Sequence, residues 1–79
     1  MMVFDSFMGP VPARWFADEV GERFGLEATV YTDAAKAFEA DPIPAQLHAP
    51  VVHVERTALR RERQIERLVK AFGGRFVGT

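Results

Sequence analysis

Residues 51–79 read VVHVERTALRRERQIERLVKAFGGRFVGT, and this stretch decides the fold because a strand, a helix and a second strand follow one another in it. Val52 and Val54 alternate with their neighbours, which is the period of a strand that has one buried face. The opposite face of the same segment carries Val51, His53 and Glu55. The alternation predicts a strand from Val51 to Arg56.

The next segment has the period of an amphipathic helix from about Ala58 to Phe72. Its apolar stripe follows the spacing i, i+3, i+4, i+7 and consists of Ile65, Leu68, Val69 and Phe72. Thr57 is a suitable N-cap because its hydroxyl can accept a hydrogen bond from a free N–H of the first turn. Gly73 and Gly74 end the helix, and Arg75 to Thr79 then supply a short last strand.

The N-terminal part repeats this order of elements. A helix is predicted from about Pro12 to Phe24, because proline suits the first turn and the apolar residues recur at helical spacing. Gly25 supplies its left-handed end. Leu26 to Thr32 alternates between apolar and polar residues and predicts a strand, and Met2 to Asp5 predicts a short strand before the helix.

The segment between the two middle strands is irregular. Asp33 is predicted to cap a short helix that runs to about Glu39. Residues 41–50 contain three prolines, which exclude a regular helix and predict a loop. The whole order is β-α-β-loop-β-α-β, so residues 1–79 are predicted to form one α+β domain with the ferredoxin-like split βαβ arrangement.

In this arrangement two helices cover one face of an antiparallel sheet and leave the other face uncovered. The residues predicted to meet the helices are Leu26, Ala28, Val30, Val52 and Val54. The residues predicted to occupy the uncovered face are Glu27, Thr29, Tyr31, His53 and Glu55. An uncovered sheet face is a common place for a partner or a substrate to bind.

The composition is that of a folded domain, with 48% apolar, 11% aromatic and 27% charged residues. There is no cysteine, so disulfides and thiolate metal sites are excluded. No apolar run approaches the roughly 20 residues of a membrane helix, and no signal peptide is recognisable at the start of the chain. Because arginine outnumbers lysine and asparagine is absent, the composition indicates a GC-rich genome, and we expect a protein of a bacterial-type cytoplasm.

Charge is distributed unevenly along the chain, although the formal net charge is only −1. Residues 1–48 contain eight acidic and three basic residues, whereas residues 49–79 contain three acidic and seven basic residues. The two parts therefore carry −5 and +4. Such asymmetry indicates either a basic surface for an acidic partner or attraction between the two parts.

The cationic ridge is the sharpest surface feature that the sequence predicts. It consists of Arg60, Arg63, Arg67 and Lys70, which recur every three or four residues on the last helix. Glu66 can pair with Arg63 or Lys70, but Arg63 and Arg67 repel each other at i, i+4, so positive charge is left over. The ridge predicts contact with an acidic protein; the alternatives are a solvated helix face and weak nucleic-acid binding.

A resemblance to a known family rests on Val52-His53-Val54-Glu55-Arg56-Thr57, the helix that follows, and Ala71-Phe72-Gly73-Gly74-Arg75. These segments resemble the C-terminal half of the small ferredoxin-like ribonuclease E inhibitors of the regulator of ribonuclease activity B type, and Trp15 to Thr32 can be aligned with their earlier half. Those proteins carry an Asp-Gly-Trp signature after the glycine pair, where this chain has Phe76-Val77-Gly78-Thr79. The resemblance implies a small regulator that binds another protein and performs no chemistry. Because the signature is missing, no functional residue is carried over.

His53 and Glu55 form the best candidate for acid–base chemistry. They are two residues apart on one strand face, about 7 Å between Cα atoms, and Tyr31 is predicted on the same face. A small homodimeric enzyme whose facing sheets enclose a pocket lined by Tyr31, His53 and Glu55 is therefore one hypothesis. The simpler interpretation is a half-exposed strand histidine paired with glutamate or arginine.

Other catalytic and cofactor patterns are missing. Ser6 is the only serine and lies in no nucleophile motif, and no glycine pattern of a phosphate-binding loop occurs. His48 lies in the proline-rich loop, and no spacing of His, Asp and Glu matches a metal motif. No cofactor and no metal are predicted.

Trp15 lies one position off the apolar stripe of the first helix and is predicted at its edge. It either packs under Phe4, Phe7 and Met8 or is an exposed anchor for a partner, since tryptophan is enriched in interface hot spots.

Together these patterns favour a non-enzymatic interaction or regulatory module. The alternatives are the small homodimeric enzyme and a weak nucleic-acid binder. The chain is expected to form a homodimer, because a 79-residue domain without disulfides has a small core and because the uncovered sheet face carries Val51 and Tyr31.

Overall fold

A computed structural model describes residues 1–78 as an α+β domain. Its elements, in chain order, are β1 (Met2–Asp5), α1 (Pro10–Phe24), β2 (Ala28–Tyr31), α2 (Ala34–Ala40), β3 (Val51–Val54), α3 (Leu59–Lys70) and β4 (Arg75–Gly78). The strands form one antiparallel sheet in the order β2-β3-β1-β4. This topology confirms the predicted ferredoxin-like fold class, with β2 and β4 at the two edges of the sheet.

The first helix begins slightly earlier than predicted and ends as predicted. It starts at Pro10, so two prolines occupy its first turn, where a missing N–H costs no intrahelical hydrogen bond. Gly25 ends it with φ 64°, and its N–H bonds to the carbonyl of Gly21. The left-handed conformation explains why glycine stands at this position.

The main core lies between the sheet and the two long helices, α1 and α3. Phe16 of α1 is fully buried and lies with its ring centroid 5.0 Å from that of Phe4 and 5.5 Å from that of Phe7. Ile65 and Val69 of α3 are buried in the same core. The residues predicted to face the helices, Leu26, Ala28, Val30, Val52 and Val54, all pack there. Burial of aromatic and branched side chains in this layer is the main source of stability.

The opposite face of the sheet is partly covered, which corrects the prediction of an uncovered face. Ala37 of α2 and Ile43 of the proline-rich loop form a second, smaller core with Val3 and Val51, all of them buried. Tyr31 packs against this cluster at its margin. The prediction failed because a segment with three prolines has no periodicity that shows which surface it packs against.

Several element boundaries differ from the predicted ones. The second and third strands are shorter than predicted, and α2 ends at Ala40. The N-cap of α3 is Ala58, not Thr57, and no side-chain hydrogen bond caps this helix. Asp33 does cap α2, because its carboxylate accepts the N–H of Ala35 at 2.9 Å. The predicted last strand included Thr79, which lies outside the described residues.

No helix within residues 1–78 combines the length and apolar character needed to cross a membrane.

Candidate functional site

The cationic ridge lies on the exposed surface of α3, as its helical spacing predicted. Arg60, Arg63, Arg67 and Lys70 are all exposed. The buried side of the same helix carries Ile65 and Val69. Packing of those two residues against the sheet therefore turns the ridge toward solvent.

The charges of the ridge are not neutralised by salt bridges within residues 1–78. The arginines of α1 are paired with acids on the same helix, Arg14 with Asp18 at 3.9 Å and Arg23 with Glu19 at 2.7 Å. The four ridge residues form no such pair in the described part of the chain, and neither does Glu66, although its spacing allows one. The ridge on α3 therefore carries surplus positive charge, whereas the arginines of α1 are compensated by acids on their own helix.

Arg61 shows which side of α3 faces the rest of the domain. Its guanidinium donates a hydrogen bond of 2.9 Å to the carbonyl of Phe24, at the end of α1. Successive residues of a helix are 100° apart around its axis, so Glu66 and Lys70 lie on the side of α3 opposite to Arg61. That opposite side faces away from α1.

A groove of about 500 Å³ runs along this outer side, between α3 and β4. Phe76 provides apolar surface to it above the buried Val69, and the basic residues that line it are Arg63, Arg67, Lys70 and Arg75. Glu66 is the acidic residue in the lining. The groove thus combines an apolar floor with a mainly cationic rim.

Arg75 is bound by a buried carboxylate that sequence analysis missed. The side chain of Asp5 is fully buried and accepts hydrogen bonds from Arg75 Nε at 2.7 Å and from Arg75 Nη2 at 3.4 Å. These bonds raise the pKa of Arg75. About half of the Arg75 side chain remains exposed. Asp5 therefore fixes the guanidinium of Arg75 on the face of the sheet that α2 and the loop partly cover, opposite α3.

Asp5 also fastens the proline-rich loop to the sheet. Its second oxygen accepts the backbone N–H of His48 at 2.8 Å, and the hydroxyl of Ser6 donates to the first at 3.0 Å. The backbone N–H of Ser6 in turn bonds to the carbonyl of His48 at 3.1 Å. One carboxylate thus joins the end of β1, the loop and the start of β4. The sequence signal for this role was an acidic residue inside an apolar strand.

His53 is buried, which corrects the interpretation of a half-exposed, paired histidine. Only 3% of its surface is exposed, and neither Nδ1 nor Nε2 has a hydrogen-bond partner in the described part of the chain. Its ring lies 4.7 Å from that of Tyr31. Burial lowers the pKa of His53, and the amino terminus lowers it slightly further, while the charge of Asp41 opposes the shift.

Glu55 does not join His53 in a catalytic arrangement. It is exposed, and its carboxylate accepts the backbone N–H of Glu27 at 3.1 Å on the neighbouring chain segment. Tyr31 and His53 are in contact, but Glu55 makes its hydrogen bond elsewhere. The structure therefore brings together two of the three residues of the enzyme hypothesis, on a face that α2 and the loop partly cover.

Trp15 is 60% exposed, and Phe16 takes the place under Phe4 and Phe7 that was one of its two predicted positions. Two further exposed apolar residues lie near it in sequence, Val11 one helical turn earlier and Met8 before the helix. Met8 also reaches the turn after α3, since its Cγ lies 3.2 Å from where a Cβ on Gly73 would sit. An exposed apolar patch therefore extends from α1 toward the end of the helix that carries the ridge.

Within residues 1–78 the side chains of His, Asp and Glu do not gather in groups of three or more that would suit a metal ion.

Comparison of the chain with protein-family models, with curated proteins and with solved structures gives no match.

Proposed function

We propose that the protein is a non-enzymatic interaction module that binds an acidic partner protein through the cationic ridge of α3. The observation that carries this proposal is the surplus of charge: four cations are exposed on one helix and none forms a salt bridge in residues 1–78. Like charges on one helix surface repel each other, which lowers the stability of the fold slightly. The same charges attract ligands of opposite sign. A partner with carboxylates in matching positions relieves the repulsion.

Trp15 is proposed as a second contact of the same module. A tryptophan that is 60% exposed offers a large apolar surface, and such residues contribute strongly to interfaces. The resemblance to ribonuclease E inhibitors also points to a small regulator that acts by binding a protein, and it enters here as part of the proposal.

The two alternative functions have weaker support. In the enzyme hypothesis Tyr31, His53 and Glu55 line a pocket between two copies, but the side chain of His53 is buried within one chain. Nucleic-acid binding would use the same ridge, and its phosphates would meet the same cations. A protein partner is favoured because the sheet lacks the aromatic and basic motif of an RNA recognition module.

The first prediction tests the ridge by charge reversal. In a variant with Arg63→Glu and Arg67→Glu, capture of partner proteins from a native lysate should fall at least about tenfold, because repulsion replaces attraction. The fold should be unchanged, since surface substitutions usually alter the free energy of unfolding by within about 0.5 kcal/mol. Capture by the parent chain should also weaken as salt is raised from low concentration, because ions screen exposed charges.

The chain offers a matched control in α1. Arg14→Glu together with Arg23→Glu changes the net charge by the same amount and also affects exposed arginines of a helix. This control should capture as much as the parent; an equal loss in both variants would mean that only net charge matters. Nuclease treatment of the lysate should leave capture intact, whereas its loss would assign the ridge to nucleic acid. Trp15→Ala in the same assay should reduce capture without changing the salt dependence.

Homodimer formation is a separate prediction that rests on the small size of the core. The sheet face that also motivated it is partly covered by α2 and the loop, and Val51 is fully buried within one chain. Light scattering should give a mass above 8.9 kDa at micromolar concentration. A mass of one chain that does not change on dilution would contradict the dimer and the shared-pocket enzyme together.

A further inference from the structure

The position of the groove at the edge of the sheet indicates what kind of acidic partner it accepts. β4 pairs with β1, and in the order β2-β3-β1-β4 it is an edge strand. An edge strand presents backbone N–H and C=O groups that are free to pair with another chain. The groove between α3 and β4 lies on the outer side of the domain, away from α1.

The side chains around this edge complement an acidic, partly apolar segment. Phe76 lines the groove with apolar surface, and Arg63, Arg67 and Lys70 line it with positive charge. Arg75 belongs to β4 itself, but Asp5 holds its guanidinium on the face of the sheet opposite α3. Backbone pairing and carboxylate binding are therefore available at one place.

We propose that an extended, acidic segment of a partner protein adds a further strand to the sheet at β4 and places its carboxylates on the cationic rim of the groove. This inference rests on the proposed function and specifies its ligand. In strand addition, backbone hydrogen bonds supply affinity and alternate side chains supply specificity. Here the specificity comes from carboxylates at the rim and from an apolar side chain on the floor.

A second copy of the chain is a poorer occupant of the same edge. Pairing of β4 with β4 would bring two cationic rims together, because each copy contributes the basic residues that line the groove. Like charges at such close range oppose association. The charge of the groove therefore selects an acidic segment of a different protein.

The test uses the full chain and a synthetic probe, a peptide of alternating glutamate and valine with blocked ends. Nuclear magnetic resonance of the ¹⁵N-labelled protein should show shifts concentrated at the amides of β4, and amide hydrogen exchange in that strand should slow. A second peptide with every backbone nitrogen methylated keeps the charges and side chains but donates no backbone hydrogen bond. Its affinity should be at least about tenfold lower, because several hydrogen bonds to the edge are lost.

The variant with Arg63→Glu and Arg67→Glu should lose affinity for both peptides. Equal binding of the two peptides to the parent chain would overturn strand addition and leave the proposed function standing. Failure of both peptides to bind would also overturn it, and lysate capture by the same variants would still decide the proposed function.

Shifts at β4 that depend on protein concentration without peptide would assign the edge to a second copy. The same shifts with a single-stranded oligonucleotide would assign it to nucleic acid, and either result would overturn the inference.

Discussion

Replacement of Asp5 by alanine is expected to lower the free energy of unfolding by about 2 kcal/mol, because it removes a buried acceptor that joins three chain segments and leaves part-buried donors without it. Its carboxylate accepts hydrogen bonds from Ser6, from the backbone of His48 and from Arg75. Arg75 can turn to solvent when the carboxylate is removed, since it is half exposed, but the N–H of His48 cannot do so without movement of the loop. Urea unfolding followed by circular dichroism measures the loss.

Asp5→Asn and Arg75→Gln separate the contributions of the network. Asp5→Asn keeps the size and one accepting oxygen, so it should destabilise less than the alanine variant. Arg75→Gln removes only the half-exposed partner and should change stability least of the three. An alanine variant that unfolds at the parent's urea concentration would contradict the role of Asp5 as the joint between β1, the loop and β4.

Replacement of His53 by leucine is expected to stabilise the domain by about 1–3 kcal/mol at neutral pH. Both ring nitrogens are buried without a hydrogen-bond partner, and burial of an unsatisfied polar group costs free energy that an apolar side chain of similar size does not. The measurement is the same urea unfolding experiment. His48 supplies the matched control, since it is the other histidine and its side chain is exposed, so His48→Leu should leave stability nearly unchanged.

The same variant also removes a pH dependence. Because burial lowers the pKa of His53 below its ordinary value of 6.5, the unfolded chain takes up a proton at this residue before the folded chain does. The free energy of unfolding should therefore fall as the pH drops below 6.5, by at most about 1.4 kcal/mol per pH unit, until the pH reaches the lowered pKa of the folded state. This slope should vanish in His53→Leu and persist in His48→Leu. A slope in His53→Leu equal to that of the parent would contradict burial of an uncharged histidine.

The structural features behind these predictions differ in how far the sequence predicts them. The ridge on α3 was predicted residue by residue, because Arg60, Arg63, Arg67 and Lys70 follow the helical period and that period is a local property of the chain. The same holds for α1 and its end at Gly25, where glycine accommodates a left-handed conformation. The faces of β2 and β3 that meet the long helices were also predicted, because alternation assigns the two sides of a strand without knowledge of the partner.

The properties of Asp5 and His53 were decided by tertiary structure. Arg75 is 70 positions away from Asp5 in the chain, and no local pattern indicates that their strands are neighbours at the sheet edge. His53 was placed on the correct face of β3, but whether that face is exposed depends on where residues 41–50 pack. A loop with three prolines forms no repeating hydrogen-bond pattern, so its path is determined by contacts such as Ile43 against the second core. The sequence alone thus determined the elements, their faces and the cationic ridge, and long-range packing decided which polar groups are buried and which edge of the sheet borders the groove.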